Sequence, residues 1–127
     1  MQTIGIVKRA NCVHQILHIN ESYKINTKKA LLDVFTAIRI LPENKRTLSG
    51  IHSFAHRSKG ISLTEDCISF WNMCGIVGET ILEGTPTYTI SKDKSSDAIK
   101  LCEAYIRRSN YIKEYFANYF LHQSDVT

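Results

Sequence analysis

Two histidines, His52 and His56, stand four residues apart, the spacing that puts both on one face of a helix. With a cysteine nearby such a pair could hold zinc. The four cysteines, Cys12, Cys67, Cys74 and Cys102, form no CxxC pair. A histidine in a basic stretch serves more often as a surface or phosphate contact, so no metal site is predicted. Covalent catalysis needs a thiol, a base and an orienting group brought together. Cys67 falls in the middle of an apolar stripe and reads as a packing residue, and no local signature joins it to a His and an Asp. Gly75, Gly78 and Gly84 are spaced as helix-end and turn glycines, not as a phosphate cradle. The expectation is a protein without a catalytic centre and without a cofactor.

Cation chemistry is what remains. Lys45, Arg46, His52, His56, Arg57 and Lys59 crowd into one short stretch. Such a set suits phosphates, and otherwise forms a solvated basic face. Ser62, Ser69 and Asn72 follow it. The amide of an asparagine can pair bidentately with adenine, so these three are candidate base or phosphate contacts. Glu65 and Asp66 share their segment. Carboxylates suit the first turn of a helix, where the dipole favours them, but they repel a nucleic-acid backbone.

The elements that would position these groups follow from periodicity. Residues 1–26 are ambiguous: Ala10, Val13, Ile16 and Leu17 have helical spacing, while Val13, Leu17 and Ile19 also fit one face of a strand. A helix is predicted from Thr27 to Leu41 on the stripe Leu31, Val34, Phe35, Ile38 and Leu41, capped by Asn26 or Thr27 and ended by Pro42. A short helix fits Thr47 to Ser58, with Leu48, Ile51, Phe54 and Ala55 inward and His52, His56 and Arg57 outward. Lys59-Gly60 would stop it. A third helix opens at Ser62, where Ser62-Leu-Thr-Glu65 has the form of a capping box. Leu63, Cys67, Phe70, Trp71 and Cys74 line its inner face, Glu65, Ile68, Ser69, Asn72 and Met73 its outer one, and Gly75 ends it. Leu63, Phe70 and Trp71 are expected to be buried with Leu31, Phe35 and Ile51.

A β-hairpin follows: Ile76-Val77 and Glu79 to Leu82, the turn Glu83-Gly84-Thr85-Pro86, then Thr87 to Ser91. Ser95 or Ser96 can cap a last helix running to about Leu121. Its aromatic side chains Tyr105, Tyr111, Tyr115, Phe116, Tyr119 and Phe120 either pack on the N-terminal segment or form a subunit interface.

Composition bounds the rest. With 127 residues, 43% hydrophobic and 22% charged, the chain can bury one core. A net charge of +4 suits an anionic partner without requiring one. No apolar run approaches the roughly 20 residues that span a bilayer. Met1 to Arg9 lacks the pattern of a secretory signal. A cytoplasmic protein with reduced, packed cysteines and no membrane association is expected.

Three helices with short connections, a hairpin and a further helix make an ordered set. The stretch from Thr47 to Val77, with Gly75-Ile76-Val77 leading out of the third helix and Tyr88-Thr89-Ile90-Ser91 closing the hairpin, resembles the helix-turn-helix of winged-helix transcription regulators. The resemblance covers roughly residues 27–121. It implies a mainly α fold with a small β-hairpin wing (α+β) and residues 1–127 as a single domain. Residues 27–91 would carry the helix-turn-helix and wing, and residues 95–121 a long C-terminal helix. It implies DNA as partner, contacted through Lys45, Arg46, His52, His56, Arg57, Lys59, Ser62, Ser69 and Asn72, and a homodimer through Tyr105, Ile112, Phe116 and Tyr119. Besides a stretch between Gly60 and Gly75 that is slightly short for it, two features depart from the family pattern: the wing tip from Glu83 to Thr87 has no Lys or Arg, and the third helix is acidic. They point to a rival reading, a winged-helix protein-interaction module that does not bind DNA.

Overall fold

The helix over Thr27–Ile40 (α2) forms where the apolar stripe predicts it. The Asn26 side chain accepts from the Lys29 amide at 3.1 Å and caps its start, and the chain turns extended at Leu41 before Pro42. In this computed structural model the backbone is described for residues 2–91 and 95–126, and side chains for 8–91 and 96–118. Before α2 runs α1 (Gln2–Tyr23). After it come α3 (Leu48–Ala55), α4 (Ile61–Met73), the strands β1 (Val77–Leu82) and β2 (Thr85–Ile90), and α5 (Ala98–Val126).

The ambiguous N-terminal stretch is helical. Cys12, Ile16 and Ile19 are fully or almost fully buried and Tyr23 packs beside them, a 4-3-4 spacing that belongs to a helix and not to a strand. Gln15 donates to the Asp66 carbonyl at 3.0 Å. Tyr23 donates from its hydroxyl to the Asp66 carboxylate at 2.6 Å. Both bonds fasten α1 to α4.

Thr47 caps α3 by accepting from the Gly50 amide at 3.1 Å. This helix ends at Ala55, three residues short of the expected boundary. Gly60 does not stop it: at φ −68° the glycine is the N-cap of α4 and its conformation is open to any residue. The expected capping box at Ser62 is also absent. α4 begins one residue earlier, so Ser62 already lies inside its first turn and no side chain caps that end. At the other end Gly75, at φ 76°, closes a Schellman motif. Its amide bonds to the Asn72 carbonyl at 2.9 Å and the Ile76 amide to the Trp71 carbonyl at 3.1 Å.

The two strands pair antiparallel, Val77 with Ile90 through Leu82 with Thr85. The turn is tighter than the four-residue Glu-Gly-Thr-Pro reading. Only Glu83 and Gly84 lie between the strands, at φ 51° and 81°, the type I′ geometry that matches strand twist. Pro86 sits within β2, opposite Ile81. The hairpin is tied back to the α2–α3 connection, where the Tyr88 amide donates to the Arg46 carbonyl at 2.9 Å.

One continuous core joins all these elements. Leu31, Phe35, Ile51, Leu63, Phe70 and Trp71 are all buried, as expected. Ile68, expected on the solvent face of α4, is 5% exposed and belongs to that core. α5 lies parallel to α1: Tyr105 sits against Cys12 and Lys113 donates to the Asn20 side chain at 2.5 Å, so contacts ascend along both helices together. The architecture is mostly helical with one small antiparallel hairpin, an α+β fold. Among the described residues no helix is long and apolar enough to cross a membrane.

Candidate interaction surface

The basic stretch does not form a uniform cationic face. Lys45, Arg57 and Lys59 are exposed. Arg46 is half-buried and donates from Nε to the Leu41 carbonyl at 2.7 Å, which closes the loop after α2. His56, expected on the surface, is 5% exposed. It ends α3 with a backbone turn that swings the imidazole inward, and its amide still donates to the His52 carbonyl at 2.8 Å. Its side chain is held between α2 and α4.

The two histidines meet on one hydroxyl in a polar relay. His52 Nδ1 and His56 Nδ1 both lie 2.9 Å from Thr64 Oγ1, and His56 Nε2 lies 3.2 Å from the Ala30 carbonyl. One proton assignment satisfies every atom: His52 Nδ1–H donates to Thr64, the Thr64 hydroxyl donates to His56 Nδ1, and His56 Nε2–H donates to Ala30. In it the buried imidazole is neutral. Burial holds His56 below its ordinary value of 6.5, while the Ala30 carbonyl pulls the other way. The folded state therefore binds the proton more weakly than the unfolded chain. The stabilisation is complete above 6.5 and is lost as pH falls from there through the depressed folded value. Chemical denaturation of the wild type should show stability rising as pH approaches 6.5 from below, and the slope should flatten in His56→Gln. Equal slopes in the two proteins would remove this role.

Asn72 is exposed. Its side-chain amide donates to the Val77 carbonyl at 3.1 Å and anchors the hairpin to the end of α4. Ser62 and Ser69 are exposed. No family model, curated protein or solved structure matches the chain. The surface must be read from its own chemistry.

That chemistry is one-sided. From Ile61 to Ser91, through α4 and both strands, there are four carboxylates, Glu65, Asp66, Glu79 and Glu83, and no Lys, Arg or His. Asp66 is engaged by Tyr23 and by His18 at 3.1 Å, whereas Glu65, Glu79 and Glu83 stand in solvent. A groove of about 340 Å³ lies between α4 and the hairpin. Leu48, Ile68, Met73 and Tyr88 supply its apolar lining, and Glu65 and Glu79 its charge. Burial and these carboxylates raise the Tyr88 hydroxyl above the ordinary tyrosine value. Glu65 and Asp66 already showed this acidity in the sequence; the contribution of Glu79 and Tyr88 required the hairpin to fold back against α4.

The remaining candidates lie elsewhere. Tyr105 is half-buried, edge-on to Phe70 with ring centres 6.2 Å apart. Ile112 lines a groove between α1 and α5. Phe116 is 52% exposed, and Tyr111 and Tyr115 are exposed beside it. The Tyr119 side chain lies outside the described residues. All four cysteines are buried free thiols, with Cys12 and Cys74 in Sγ contact at 3.4 Å. Among the described residues no three His, Cys, Asp or Glu side chains are arranged to hold a metal ion.

Proposed function

We propose that this chain is a winged-helix protein-interaction module whose α4–hairpin face docks a basic protein surface. The observation that carries this reading is the run from Ile61 to Ser91, which holds four carboxylates and no cation. In a winged helix this is the element that would enter a DNA groove. Affinity for DNA comes mainly from cations that replace the counterions of the phosphates. Here that face would bring Glu65 and Glu79 against phosphate oxygens, and like charges at an interface cost several kcal/mol. Against a protein the same pair is an asset. A Lys or Arg of the partner would meet the two carboxylates while its stem lies on Met73 and Tyr88. No catalytic step belongs to this function.

A second reading, a DNA-binding regulator, rests on Lys45, Arg57 and Lys59, which remain exposed around α3. The two readings separate in one titration. Fluorescence anisotropy with genomic DNA duplexes at low salt should give a dissociation constant no tighter than ~10⁻⁴ M. Replacing Glu65, Glu79 and Glu83 by Lys should tighten it by about tenfold or more, to all sequences alike. A wild-type constant tighter than ~10⁻⁶ M, lost in the Arg57→Glu/Lys59→Glu protein, would return the chain to the regulator reading.

A further inference from the structure

α1 and α5 leave an open groove of about 850 Å³ between them. Val13 is its floor at 8% exposure. Leu17, Leu101 and Ile112 form its apolar walls, and the small side chains of Ala10 and Ala104 let a partner approach both helices closely. From Leu101 to Ile112 the groove follows α5 for about three turns, the length of a short docked helix. Its charged or titratable rim consists of Arg9, His14 and Arg108, and no carboxylate is among its lining residues.

We infer that this groove is a docking site for an amphipathic helix of another protein, one that carries an apolar ridge flanked by Asp and Glu. The apolar walls specify the ridge, since a helix buries such a stripe by laying it in a groove. The rim specifies the flanks. An acidic helix would place its carboxylates against Arg9 and Arg108, which fixes its register and speeds its encounter. A second copy of this chain fits less well: a two-fold pairing of this face with itself turns one basic rim toward another. The groove uses none of the residues of the acidic α4–hairpin face, so the site stands whether or not that face binds a basic protein.

The test uses the full chain and two labelled synthetic peptides of about 18 residues with the same leucine ridge, one flanked by Glu and one by Lys. Anisotropy should show micromolar binding of the Glu peptide, weakened by salt, and about tenfold weaker binding of the Lys peptide. Arg9→Glu with Arg108→Glu should reverse that preference. Both side chains are exposed, so the fold tolerates the change, and far-ultraviolet circular dichroism checks it. Ala104→Trp, which fills the groove, should abolish binding of either peptide. Equal affinity for the two peptides, or no binding of the Glu peptide up to about 1 mM, overturns the proposal. So does a wild type that sediments as a dimer at micromolar concentration and as a monomer once Ala104→Trp is introduced, because the occupant is then a second copy.

Discussion

Trp71→Ala should lower the stability of this protein by about 3–5 kcal/mol. The indole is fully buried, 5.4 Å from the Phe35 ring and 5.0 Å from the Phe70 ring, so its removal opens a cavity where α2 and α4 meet. It also removes a bond. Trp71 Nε1 donates to the Leu31 carbonyl at 2.8 Å, and a buried acceptor left without a partner adds its own desolvation cost. A domain of this size holds only about 5–15 kcal/mol in all, so the variant loses a large share of it. Trp71→Phe keeps most of the apolar volume and loses the bond, and should cost about 1–3 kcal/mol. Urea titrations of the three proteins give the comparison. A loss below about 1 kcal/mol in the alanine variant would mean that α4 is not packed as described.

Gly50→Ala has the opposite sign to the usual result of that substitution. In an exposed helix, alanine in place of glycine gains about 1 kcal/mol. At Gly50 a Cβ would stand 2.0 Å from the carbonyl oxygen of Lys45 and 3.1 Å from its carbon, both backbone atoms that no rotamer change can move. Either α3 shifts or the loop after α2 does, and the loop is held by Arg46 to Leu41 and by the bond of its carbonyl to Tyr88. The expected loss is about 3 kcal/mol, the upper range of overpacking. Gly60→Ala is the control: nothing lies closer than 3.9 Å and φ is −68°, so its effect should stay within about 0.5 kcal/mol. Thermal melts that show the two variants alike would refute this account of the α3 packing.

Much of the fold is legible in local spacing, and its failures are local too. The stripe of α2, the cap at Asn26 and the glycine stop at Gly75 all act within a few residues, and local pattern finds them. α1 was ambiguous because its pattern depends on Cys12 and Tyr23, which count as core only once α4 and α5 are in place. The Glu83 turn is shorter than its sequence implies because a non-glycine residue there accepts a positive φ, which propensity alone does not specify. The surface was less legible than the core. His52 and His56 have the spacing of an exposed pair, yet their partner is Thr64 on the next helix, and nothing in the spacing announces it. Arg46 and Asn72 likewise each give one donor to a backbone carbonyl, that of Leu41 and that of Val77, which nothing in the spacing announces.

The parallel pairing of α1 and α5 closes a long loop of chain. Lys113 and Asn20 lie 93 positions apart along the chain, while the hairpin closes Leu82 on Thr85 across only Glu83 and Gly84. Loop closure grows with the logarithm of the loop, so the α1–α5 contact costs about 3 kcal/mol more to close than the hairpin before any packing is counted. The apolar groove runs along that closure, so its two walls come from segments far apart in the chain.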